Sequence, residues 1–257
     1  MDLSEKVLRL KPAGMSAEEW ALRLELASCY RAVDWMGWTE SIYNHITLRV
    51  PGAEPHYLIN PYGLSYNEVT ASNLVKINVA GDTMDGSKHP VNKAGFVIHG
   101  AIHAARRDAH CIMHTHTTAG MSVACKQGGL RHDNFYSAIL YGQVATHDFE
   151  GISTDLDERP RLVKSLGAKP ILLLKNHGLL VVGAQVAETF QTYWTLQRAC
   201  EVQLASDSMH GGNVPISQKV LDAIPAQVEV FRAGPRPGGL HYDALLRRAG
   251  IHCEDLV

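Results

Sequence analysis

Two apolar runs in this chain end in histidine, and together they restrict its fold more than any other feature. The first, Cys111-Ile112-Met113-His114-Thr115-His116-Thr117, reads as a strand carrying two histidines two residues apart. Side chains at i and i+2 share one face of a strand, about 7 Å apart along the chain. A slight twist brings both imidazoles within reach of one metal ion at about 2.1 Å. The second run, Leu172-Leu173-Leu174-Lys175-Asn176-His177-Gly178, has the same form: a strand of leucines that delivers one histidine before a glycine. Three histidines on two strand ends predict a three-nitrogen metal centre built on a sheet.

Composition narrows the partners. With 24 basic against 26 acidic residues the formal net charge is −2, so neither nucleic acid nor an anionic membrane is an expected partner. No apolar run approaches the roughly 18 residues that a membrane span needs. Met1 to Lys11 alternates charge with leucine and lacks a signal-peptide core, which argues against secretion. Five scattered cysteines with no CxxC pair fit a reduced, cytoplasmic setting. Cys111 and Cys125 read as small core residues, since nothing near them in the sequence would lower a thiol pKa. Neither GxGxxG nor GxxxxGK[ST] occurs, which disfavours a dinucleotide or P-loop enzyme.

Along the chain, residues 1–16 form a polar lead, 17–210 the body of one domain, and 211–257 a Pro- and Gly-rich tail expected to pack on the domain or on a neighbouring subunit. Ser16 with Glu19 makes a capping box for a helix over 17–36. Strands are predicted over 42–50, 56–59 and 74–79, with a fourth near Thr83 and Met84. A helix is predicted over 93–107, another over 118–127, a weak strand and loop over 138–147, and a long helix over 187–206. The charged run from Asp155 to Arg161 reads as a solvated helix start. Helices flanking hairpin-joined strands predict a mixed, mainly antiparallel sheet under helical cover. His99 and His103, spaced i,i+4, are either a metal pair or a helix face packed beneath the sheet.

The segment ending in Gly37-Trp38, the strand YNHITLRV, the turn NPYG, the HTH strand and the NHGLL strand, taken in that order, resemble the class II aldolase/adducin family, and in particular bacterial class 2 aldolase proteins. L-fuculose-1-phosphate aldolase and the adducin head domain are more distant members. The resemblance covers about residues 20–205 and implies an α/β/α sandwich around a largely antiparallel sheet. It also implies a homotetramer with active sites between subunits. It assigns a zinc ion to His114, His116 and His177, with Mn2+, Co2+ or Fe2+ as other occupants of such a donor set. It makes Tyr136 the proton donor, contributed by the neighbouring subunit, and places Asn44 and His45 where the family's aldolases hold phosphate.

One departure stands out. Family aldolases carry a glutamate about nineteen residues before the first metal histidine, and that position here is Gly95. The serines that grip phosphate are replaced by Lys93 and Ala94. Asn44, His45 and Lys93 are therefore the candidate substrate contacts, and Asp148 or Glu150 a candidate replacement acid. The expected activity is carbon–carbon cleavage of a small oxygenated, non-phosphorylated substrate by a metal-dependent lyase. The alternatives are a metal-dependent decarboxylase or oxygenase on the same fold, and a non-catalytic adducin-like interaction module.

Overall fold

The computed structural model describes residues 10–52, 54–152 and 156–257 of the 257-residue chain. Seven strands form one sheet in the order β3-β2-β1-β4-β7-β6-β5. They are β1 (His45–Val50), β2 (His56–Ile59), β3 (Val75–Asn78), β4 (Cys111–Thr115), β5 (Val144–His147), β6 (Ile171–Leu174) and β7 (Gly178–Gly183). All neighbouring pairs are antiparallel except β5 with β6, which are parallel.

Alternation along the strands divides the core into two layers. Ile46, Leu48, Cys111, Met113, Leu179 and Val181 belong to the layer under α1 (Ala17–Trp35) and α6 (Val186–Asp207). Ile112, Leu172, Leu174, Leu180 and Val182 belong to the opposite layer, with Ile98 and Ile102 of α2 (Lys93–Ala105) and Leu162 and Leu166 of α5 (Arg159–Leu166). The result is a three-layer α/β/α sandwich with a mixed, largely antiparallel sheet.

Local signals explain the helix starts. The Ser16 hydroxyl accepts from the Glu19 amide at 3.0 Å and begins α1, while the Glu19 carboxylate is taken up by Arg23 and by Lys76. Asn92 caps α2 by accepting from the Ala94 amide at 3.1 Å. Two shorter helices, α3 (Thr118–Ala124) and α4 (Phe135–Ile139), follow β4.

Two sequence expectations change, for Thr83 and Cys125, and the tail gains helices that the sequence reading did not assign. Thr83 makes a single antiparallel bridge to Ile77 and no fourth strand. The tail is helical, with α7 (Gln218–Arg232) and α8 (Gly239–Ala249); Pro225 lies inside α7, and Pro/Gly content had hidden both. Tyr242, Leu245, Leu246 and Leu256 join the main core. Cys125 is exposed, because it follows the last turn of α3; Cys111 is buried, and burial pushes its thiol up to about 12. The lead through residue 9 and Asp155 lie outside the described residues.

Candidate metal centre

β4 and the β6–β7 hairpin bring His114, His116 and His177 together, with ligand nitrogens all within 4.8 Å of one another. Each is held by a different local device. His114 pairs with Leu180 across the sheet, and its Nδ1 donates to the Leu179 carbonyl at 2.9 Å. A carbonyl only accepts, so Nδ1 carries the hydrogen and Nε2 turns its lone pair toward the cluster. His116 follows the end of β4, where Thr117 caps α3; its backbone amide donates to Asn44 Oδ1 at 3.1 Å. His177 closes the three-residue turn between Leu174 and Gly178, its amide bonded to the Leu174 carbonyl. Asn176 supplies the left-handed residue of that turn at φ 56°, a conformation Asn tolerates better than most residues.

The rings are neutral imidazoles. His114 is fully buried, and desolvation holds its pKa well below the usual value. Burial lowers His177 to about 4. His116 is also lowered by burial, opposed by the nearby Glu40 carboxylate. His114 Nε2 and His116 Nε2 stand 2.8 Å apart, and the His177 ring centroid lies 4.8 and 4.9 Å from theirs. Three neutral imidazoles converging on one point fit a divalent cation, which needs unprotonated nitrogens at about 2.0–2.1 Å.

Gly178 makes this convergence possible. A Cβ there would stand 2.6 Å from the Thr115 carbonyl oxygen, 3.1 Å from His116 Cδ2 and 3.3 Å from His114 Cε1. Beyond His177 a shallow surface depression, too tight to hold a water, is lined by His147, Phe149, Glu150, Glu158 and Leu174.

The chain matches the model of the Class II Aldolase and Adducin N-terminal domain over residues 24–204. It belongs to that family. A solved aldolase II superfamily protein from Pseudomonas syringae is 42% identical and superposes with a TM-score of 0.84, over 91% of this chain and 94% of that one. The L-fuculose 1-phosphate aldolase from Glaciozyma antarctica PI12 is 27% identical with a TM-score of 0.79, over 98% of each chain. Alpha-adducin from Rattus norvegicus is 48% identical over 76% of this chain, a match that spans 27% of the adducin's length.

Around the histidine cluster the other sequence candidates fall differently. Asn44 is buried, donating to the Trp38 carbonyl at 3.0 Å and accepting from the His116 amide, so its observed bonds position the His116 backbone. His45 lies opposite His114 across the β1–β4 pair, ring centroids 5.0 Å apart, with Nδ1 engaged by His99. Lys93 is exposed at the first turn of α2. Tyr136 on α4 contacts Phe135 and Trp194, with the Arg198 guanidinium 5.6 Å from its ring; these contacts do not bring it to the histidines of its own chain. The Asp148 carboxylate pairs with Lys175, and that of Glu150 with Arg161. His99 and His103 pack beneath the sheet. Glu40, in the loop before β1, is the acid whose charge reaches His116; no sequence spacing pointed to it.

Proposed function

We propose that this chain is a divalent-metal-dependent lyase of the class II aldolase type, acting on a small oxygenated, non-phosphorylated substrate by carbon–carbon cleavage. The observation that carries the reading is the set of three neutral imidazoles whose ligand atoms lie within 4.8 Å of one another. Three protein ligands leave coordination positions open, which is the catalytic arrangement and not the closed structural one. The chemistry such a cation supplies is Lewis-acid stabilisation of negative charge on a carbonyl oxygen. Zinc suits a three-nitrogen set, and Mn2+, Co2+ or Fe2+ are the other occupants to test.

The chain's own residues do the remaining work. Leu179 and Asn44 fix the orientations of His114 and the His116 backbone. Tyr136, brought from a neighbouring subunit of a homotetramer, is the proposed proton donor to the leaving alkoxide. Lys93 at the start of α2 is the proposed contact for an anionic substrate group. Lys93 and Ala94 in place of phosphate-gripping serines favour a non-phosphorylated substrate, and free, scattered cysteines favour a cytoplasmic site of action.

The test is metal content and turnover in untagged protein. About one metal per chain is expected, with retro-aldol cleavage of hydroxy-ketone substrates that His116→Ala abolishes and Tyr136→Phe lowers about 100-fold. Less than about 0.2 metal per chain, restored by none of the four ions, would falsify the reading. A second reading is supported by the 48% identity to alpha-adducin: a non-catalytic interaction module. Metal binding without turnover on aldol, keto-acid or aromatic-acid substrates favours the module; release of CO2 from the acids instead marks a decarboxylase.

A further inference from the structure

Beneath β1 runs a line of buried polar groups that the chemistry above leaves unused. His45 Nδ1 lies 3.0 Å from His99 Nε2, and His99 Nδ1 lies 2.8 Å from the Thr47 hydroxyl. That hydroxyl lies 2.8 Å from His103 Nε2, and His103 Nδ1 ends 2.9 Å from the Ala109 carbonyl oxygen. All four side chains are at most 2% exposed.

The direction of every bond follows from the last one. The Ala109 carbonyl only accepts, so His103 Nδ1 carries the hydrogen. Burial and the Arg49 guanidinium keep His103 neutral, with its pKa lowered to about 3, so its Nε2 is bare and takes the Thr47 hydroxyl hydrogen. Having given its one hydrogen, the Thr47 oxygen accepts from His99 Nδ1. His99, also buried and neutral, then presents a bare Nε2, which accepts from His45 Nδ1. The remaining nitrogen of neutral His45 is therefore a lone pair.

That lone pair belongs to a ring at the metal centre. His45 faces His114 in register, with 5.0 Å between ring centroids. No hydrogen bond to Nε2 is found among the described residues. Gly95 makes room for the ring: a Cβ there would stand 3.2 Å from both Cγ and Cδ2 of His45.

We propose that this relay, set from its far end by the Ala109 carbonyl, fixes His45 as a hydrogen-bond acceptor at the histidine site, so that the substrate group it selects is a hydroxyl. A carboxylate, phosphate or carbonyl oxygen at that position would face lone pair against lone pair and is disfavoured. His45 is thus a specificity-determining residue for an alcohol or enol, and the anionic group of a substrate is left to Lys93. The inference rests on the three histidines being the reactive centre.

Two-bond proton–nitrogen NMR of histidine-labelled full-length protein near neutral pH reads the tautomers directly. His45, His99 and His103 are expected as Nδ1–H forms, with or without added zinc. Thr47→Val should leave His103 unchanged and release His99 and His45 into the other or mixed forms, while Thr47→Ser restores the wild-type pattern. An Nε2–H form of His45 in the wild type, or a Thr47→Val spectrum identical to it, overturns the proposal. If Thr47→Val does not fold, the wild-type and Thr47→Ser spectra decide alone, since both must show the Nδ1–H form at all three rings. Zinc titration separates this from the metal reading. His45→Gln should weaken zinc by less than about tenfold and His116→Ala by about 100-fold or more; equal losses would make His45 a ligand and overturn its role as acceptor. Correct tautomers without zinc binding would sink the metal reading and leave the relay standing.

Discussion

Gly178 is the residue around the metal centre with the least freedom to change. Its missing side chain lets the β6–β7 hairpin close on Thr115, and the nearest obstruction to a Cβ is backbone oxygen, which cannot swing aside. Gly178→Ala should cost about 1–3 kcal/mol of stability and move His177 out of register with the other two rings. Urea unfolding together with zinc titration checks this; a variant with wild-type stability and affinity would show that the turn has slack. Asn176 is a contrasting case. Its φ of 56° is a matter of backbone preference, so Asn176→Ala should cost about 1 kcal/mol while Asn176→Gly is close to neutral. The same unfolding assay separates the two, and equal losses would contradict the assignment.

The element that ties sheet to site is α2, whose i,i+4 histidines reach Thr47 from below. His103 faces Arg49 of β1, the Tyr57 ring of β2 at 4.7 Å, His110 and the Ala109 carbonyl of the following turn, and His99 on its own helix. Its folded-state pKa of about 3 lies below the unfolded value, so the unfolded chain takes up a proton near pH 6.5 and the native chain does not. The stability held above that pH is lost as pH falls, at about 1.4 kcal/mol per pH unit from this group alone. Denaturant melts between pH 7.5 and 5 should show at least that slope below about pH 6.5, since other buried histidines add to it. His103→Asn, which keeps a donor for the Ala109 carbonyl, should reduce it by about that amount. A flat profile, or one unchanged in the variant, contradicts a neutral buried His103.

At the level of the whole molecule, large apolar side chains remain exposed in one chain, among them Phe135 at 73%, Val230 at 73% and Leu240 at 93%. Side chains of this kind are what subunit contacts cover, and Phe135 neighbours Tyr136, the residue proposed to serve a second subunit's site. Light scattering on the purified chain should give four copies per particle, and a monomer at micromolar concentration would remove Tyr136 from the mechanism.

How much of this was legible in the sequence depended on the range of the contacts. His114 and His116 declare themselves through strand spacing, and His177 through a matching strand end. A mainly antiparallel sheet under helical cover was readable from hairpin-joined strands between helices, and the family resemblance implied the three-layer sandwich. The His45–His99–Thr47–His103 line was not, because the β1–β4 register and the seating of α2 on the sheet join residues some fifty positions apart. The helices of the tail were hidden because Pro225 sits inside one and Gly238 and Gly239 open the other, where such residues ordinarily mark a break. The bond from the His116 amide to Asn44 was not legible either, because it joins residues seventy-two positions apart and forms only once β1 lies beside β4.

X-ray absorption of the zinc-loaded protein reads the convergence of the two strand ends most directly. Three imidazole nitrogens at about 2.0–2.1 Å with one or two further light oxygen ligands are expected, falling to two imidazoles in His177→Ala. A shell containing sulfur, or one closed by four protein ligands, or a His177→Ala spectrum unchanged from the wild type, would contradict an open three-histidine centre.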